Sequence, residues 1–201
     1  NCRFTGWQDT IFNGDPMTCN MKKLMLPDFF QASEVPIVHK FYRNYFKDCY
    51  VCGDVDYIFG PNTAFFDHCE IHSIARVSEG KAYITAASTP AGQEFGLVFS
   101  HCRITGEEPD SVYLGRPWRD CAKTAFICCE LGDHICPEGW QNWGKVRAEV
   151  LSDYIEYGNF GPGADCSGRS PLSRCLVNPE VETYFSKENV LVGEDGWIPA
   201  E

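Results

Sequence analysis

Hydrophobic positions along this chain come in short bursts, not at helical intervals. Apolar runs over 50–51, 56–59, 64–72, 82–86, 97–104 and 124–130 predict β-strands, punctuated by Gly, Pro and Asp. No long stretch carries a 3.6-residue period. One unit recurs inside the runs: Phe46-x-x-Cys49, Phe66-x-x-Cys69, Phe99-x-x-Cys102 and Phe126-x-x-Cys129, each followed two residues on by Val51, Ile71, Ile104 or Leu131. Cys2, two before Phe4, fits an earlier copy. Repetition at intervals of 20, 33 and 27 residues is what a coiled solenoid with loop insertions produces. The pattern therefore predicts an all-β chain, a parallel β-helix in preference to a sandwich.

Residues 11–36 interrupt the repeat with Gly14-Asp15-Pro16, Lys22-Lys23 and Pro27-Asp28-Phe29-Phe30, and are expected to form a loop insertion before the next copy begins near Phe41. After Gly168 the repeat is lost. Residues 179–192 suit one short helix with Pro179 near its start, in a tail that packs on the solenoid. Residues 1–201 are thus expected to form one domain.

Composition narrows the function. With 44% hydrophobic and 14% aromatic residues the chain suits a packed protein, and no apolar run approaches the roughly 18 residues of a membrane span. A net charge of -11 argues against nucleic-acid partners and disfavours polyanions. Twelve cysteines would ordinarily suggest a disulfide scaffold, but their equivalent places in the repeat predict stacked, mostly reduced thiols. So many free thiols would be a liability in an oxidising compartment and point to an anaerobic source. Cys49 and Cys52 fall on opposite strand faces, and His68 and His72 lie about 13 Å apart on an extended strand. Neither pair is read as a metal site. No serine sits in a Gly-x-Ser-x-Gly elbow.

A carboxylate, Asp56, stands inside the apolar run Gly53-Asp54-Val55-Asp56-Tyr57-Ile58-Phe59-Gly60. A strand buries alternate side chains, so such a residue is either on the outer face or held there for chemistry. Tyr57 should face the opposite side. Gly6-Trp7-Gln8-Asp9-Thr10 adds a second carboxylate beside an amide, and Tyr113-Leu114-Gly115-Arg116-Pro117-Trp118 adds a guanidinium beside an indole. With Pro137-Glu138-Gly139-Trp140-Gln141-Asn142-Trp143-Gly144 and Glu156-Tyr157-Gly158-Asn159-Phe160-Gly161-Pro162-Gly163-Ala164, these segments resemble, in order, the signatures of pectin methylesterases (pectinesterases).

The resemblance covers nearly the whole chain and implies a right-handed parallel β-helix that hydrolyses pectin methyl esters to pectate and methanol, with no cofactor and no metal. Asp56 resembles the nucleophile, Arg116 the arginine that orients it, Asp9 the general acid and base, and Gln8 an oxyanion-hole amide. Trp118 and Phe59 resemble cleft-lining residues, and Trp140 is a further candidate. The expected partner is methyl-esterified pectin, with no nucleic acid or membrane, and the expected state is a monomer. The long stretch between Asp9 and Asp56 resembles some bacterial members more than plant ones. The family's second glutamine precedes the Gln-Asp-Thr segment, so residues 1–201 are expected to be a catalytic domain without its N-terminal coils, feebly active alone, from a secreted parent. Two rivals share the fold: a polysaccharide lyase, which would want calcium-binding carboxylates and a basic residue, and a non-catalytic pectin-binding module.

Overall fold

The computed structural model describes residues 1–14, 42–197 and 199. Among them the chain forms β1 (Arg3–Thr5), β2 (Ile11–Phe12), β3 (Arg43–Lys47), β4 (Tyr50–Gly53), β5 (Val55–Gly60), β6 (Thr63–Asp67), β7 (Glu70–Ser73), β8 (Ala82–Ala87), β9 (Leu97–Ser100), β10 (Arg103–Gly106), β11 (Val112–Pro117), β12 (Lys123–Ile127), β13 (Glu130–Leu131), β14 (Asp153–Tyr157) and β15 (Ser173–Leu176). They build three sheets in the orders β1-β4-β7-β10-β13, β2-β5-β8-β11 and β3-β6-β9-β12-β14-β15. Every pairing is parallel. A coil such as β3–β4–β5 visits the third, first and second sheets in turn, and the next coil repeats the circuit. This is the predicted parallel β-helix.

The repeating unit becomes its core. Phe46, Phe66, Phe99 and Phe126 stack face to face at centroid separations of 4.5, 4.7 and 4.5 Å, close to the spacing of hydrogen-bonded strands. Val51, Ile71, Ile104 and Leu131 lie in register on successive rungs. The thiols of Cys69, Cys102 and Cys129 donate to the carbonyls of Phe46, Phe66 and Phe99 in the preceding coil, at 3.4, 3.3 and 3.5 Å. Cys49 heads the same buried column. As expected, this ladder is reduced.

The sequence pattern needs four corrections. The runs 64–72, 97–104 and 124–130 are each two strands, broken at His68, His101 and Cys128, which adopt left-handed backbone with φ of 51°, 53° and 53°. Asp48 does the same between β3 and β4 (φ 51°). Asp and His tolerate this region better than most residues, so a turn forms with no Gly or Pro to announce it. Ile11 and Phe12 are a strand paired with Ile58 and Phe59, not the start of the insertion. The rest of the insertion, from residue 15, and Phe41 lie outside the described residues, and the next copy begins at Arg43. The solenoid also runs past Gly168, because β15 pairs with β14. The tail then holds two short helices, Glu180–Tyr184 and Lys187–Val190, whose Val181 and Val190 pack with Phe65, Val98 and Ile127 on the outside of the third sheet.

One disulfide joins Cys166 to Cys175. Nine cysteines among the described residues are free, and Cys19 lies outside them. No described helix is long and apolar enough to cross a membrane.

Candidate active site

The second sheet carries the chemistry, and a fault in its register aims it. Val55 pairs with Tyr83 and Ile58 with Thr85, so three residues of β5 span two of β8. A bulge of this kind redirects a side chain. Asp56 takes a left-handed φ of 50°, and Tyr57 drops fully into the core, its hydroxyl bonded to Ser73 at 2.9 Å. Tyr57 therefore faces away from Asp56, as expected.

Because Ile11 pairs with Ile58, Asp9 occupies the rung equivalent to Asp56 in the preceding coil, with nearly the same φ of 58°. The Asp9 amide donates to the Val55 carbonyl at 3.1 Å, and the Asp54 amide to the Trp7 carbonyl at 3.0 Å. Gly53 permits this approach, since a Cβ there would sit 2.5 Å from the Trp7 oxygen. Left-handed backbone costs most non-glycine residues about 1–2 kcal/mol, and aspartate less. Two such aspartates on adjacent rungs mark a place where strain is tolerated for geometry.

Arg116 on β11 reaches over β8 to Asp56. Ala86 of β8 pairs with both Phe59 and Arg116, so one strand separates the two. Nε and Nη2 of Arg116 donate to Oδ1 and Oδ2 of Asp56 at 2.8 and 2.7 Å, a bidentate contact that fixes the carboxylate plane. The guanidinium is held between the rings of Tyr83 (3.9 Å) and Trp143 (3.7 Å). Lys145 also lies over the Trp143 ring at 4.4 Å and donates to the Pro117 and Trp118 carbonyls. Asp9 is exposed, and its carboxyl is nevertheless raised above its ordinary value, first by the part of it that is shielded from water and then by the Asp56 charge, with Arg116 pulling the other way. Asp9 is thus within electrical reach of both.

Phe59 and Trp118 meet edge to face at 5.7 Å, and Phe12 adds a third ring 5.0 Å from Phe59. Both expected cleft residues are half-buried at the surface beside Arg116. Gln8 is exposed on the loop that carries Asp9. Trp140 is a correction. It is 2% exposed, stacks on Tyr154 at 4.2 Å, and its Nε1 donates to Glu156 at 2.9 Å. Glu156 is clamped in turn by Arg169 at 2.9 and 3.0 Å. A bridge from Gly115 to Trp140 continues the second sheet and turns this indole inward. Trp143, three residues on, is the tryptophan that reaches the site, together with Tyr83.

The sequence profile of the family described as Pectinesterase matches residues 31–194. The chain belongs to the pectinesterase family. It is 36% identical to Pectinesterase 31 of Arabidopsis thaliana over 182 residues, which cover 90% of this chain and 48% of that one. Among solved structures, the pectin methylesterase from carrot superposes with a TM-score of 0.77 at 25% identity, covering 100% of this chain and 59% of that one. A pectin methylesterase from Aspergillus niger gives 0.69 at 28% identity, covering 98% and 55%. The likeness thus extends to plant and fungal pectinesterases, beyond the bacterial ones that the long insertion suggested. The chain spans about half the length of these relatives.

Proposed function

We propose that this chain carries the catalytic groups of a pectin methylesterase, which converts a galacturonate methyl ester and water to a free carboxylate and methanol. The observation that carries the reading is the two-point Arg116 clamp on Asp56, one rung from Asp9, whose carboxyl is raised above its ordinary value. Paired carboxyls in unlike surroundings are how one site holds a base-like nucleophile and an acid together.

In this mechanism an Asp56 oxygen attacks the ester carbonyl carbon, and the carbonyl oxygen takes the negative charge. The Gln8 amide donates to that oxyanion, an interaction worth about 10²–10³ in rate for a single donor. Collapse breaks the bond to the methoxy oxygen, which takes the Asp9 proton and leaves as methanol, so an acyl anhydride remains on Asp56. Water then gives a proton to Asp9 and attacks the acyl carbon, which releases the carboxylate product and restores Asp56. Trp118 and Phe59 offer ring faces for the sugar. The net charge of -11 favours stretches of polymer whose acids are masked as neutral esters. A polymer of this size does not enter a cell intact, so we place the parent protein outside it, acting as a monomer.

The test is product analysis with methylated pectin and a protein that contains this chain. Methanol and new carboxylate should appear in equal amounts. A lyase would instead produce unsaturated ends without methanol, and a binding module would produce neither.

A further inference from the structure

The left-handed turn between the third and first sheets recurs on every coil, and it sets one residue per rung at the surface. Along the helix these are Asp48, His68, His101, Cys128 and Gly158, with φ between 51° and 63°. Rungs lie about 4.8 Å apart, and the His68 and His101 rings stack at 5.2 Å with an interplanar angle of 8°. Nδ1 of His101 is bonded to Ser100 Oγ at 2.9 Å, which leaves Nε2 directed outward, 3.6 Å from Glu182 Oε1 on the tail helix Glu180–Tyr184. Cys128 occupies the next rung. Its sulfur, a ring nitrogen of His101 and a carboxylate oxygen of Glu182 all lie within 4.8 Å of one another. The rung after that is Gly158, where a Cβ would stand 3.0 Å from Cys128 Sγ, so the flank of the thiol is kept open.

We infer that His101 Nε2, Cys128 Sγ and a Glu182 oxygen form a zinc-binding site that staples the C-terminal tail to the β-helix. Imidazole, thiolate and carboxylate together suit Zn²⁺ and exclude the hard cations that take oxygen alone. Zinc bond lengths of about 2.0–2.3 Å need the three donors to close by a fraction of an ångström to about 1.5 Å, which rotation of half-exposed side chains supplies. The bond from Ser100 to Nδ1 is the outer contact that orients a ligating histidine. Cys128 stands apart from the buried thiol ladder, whose rung here is filled by Cys129. It also holds a backbone conformation that costs cysteine more than Asp or Asn. A free cysteine thiol is mostly protonated near neutral pH. On binding, the metal takes the place of that proton, which passes to solvent.

The experiment is metal titration of the full chain after dialysis against a chelator. One Zn²⁺ per chain should be retained, with a rise in melting temperature. Co²⁺ in its place should show a thiolate-to-cobalt charge-transfer band. Cys128→Ser should abolish that band and weaken Zn²⁺ binding at least tenfold, and His101→Ala should weaken it similarly, both with unchanged circular dichroism. Zinc affinity that survives Cys128→Ser, or a cobalt spectrum with no thiolate band, would overturn the inference. Should Cys128→Ser fail to fold, the exposed His101→Ala decides alone, and unchanged zinc binding there refutes the site.

Discussion

At the level of single residues, the proposed reaction depends on how tightly Asp56 is held. Its partner Arg116 is fixed by two hydrogen bonds and by the rings of Tyr83 and Trp143. Arg116→Lys removes the planar two-donor contact, and misplacement of a nucleophile by about 1 Å can cost on the order of a hundredfold. We expect at least that loss in kcat, read by methanol release, with the fold intact. Trp143→Ala removes one cation–π face, worth about 0.5–2 kcal/mol, so kcat should fall roughly tenfold with a smaller effect on KM. Asp9 makes a different prediction. Its folded pKa is raised above the ordinary 3.8, so the folded state binds that proton more tightly than the unfolded chain does. Stability is therefore lost as pH rises from about 3.8 through the folded value. Asp9→Asn should melt higher than the parent at pH 7, with the advantage fading below pH 3.8, even as activity is lost. That Asp9, Asp56 and Arg116 come near one another was legible because each stands in a short segment with its own chemistry. Trp143 was not, because two tryptophans three residues apart compete and only the sheet bridge at Trp140 decides which turns inward.

At the scale of elements, the Phe-x-x-Cys-x-apolar unit made the solenoid legible, since one rung repeated in register is what the stacked columns require. The turn inside each unit was hidden, because Asp48, His68, His101 and Cys128 carry it without glycine or proline. The same reason merged pairs of strands into single runs. The columns make two predictions. Phe99 is sandwiched between Phe66 and Phe126, so Phe99→Ala should destabilise by about 3–5 kcal/mol in denaturant unfolding. Thiol titration should find Cys2, Cys121 and Cys128 reactive in the native protein, with buried Cys49, Cys69, Cys102 and Cys129 reacting only after unfolding. Peptide mapping without reductant should recover one link, Cys166 to Cys175. Five or six disulfides would overturn the ladder.

At the scale of the whole molecule, stability should fall on the acid side for a reason unrelated to catalysis. His134 is 1% exposed, both ring nitrogens lack a hydrogen-bond partner among the described residues, and it is lodged against Gly106 and Gly132. Burial pushes its pKa down to about 4, with His72 adding to the shift and Asp133 opposing it. A depressed histidine favours the folded state above its ordinary 6.5, and that contribution is lost as pH falls toward 4. His134→Leu should flatten the melting temperature between these values. Chain length and charge were read directly from the sequence, whereas this histidine looked like any other until the packing was known. The central claim remains that Asp56 attacks the ester. Its most direct test is methanol release at saturating methylated pectin by the full-length protein with Asp56→Asn. We expect a loss of at least about a thousandfold with unchanged circular dichroism and melting. Activity within about tenfold of the parent would contradict it and move the nucleophile elsewhere.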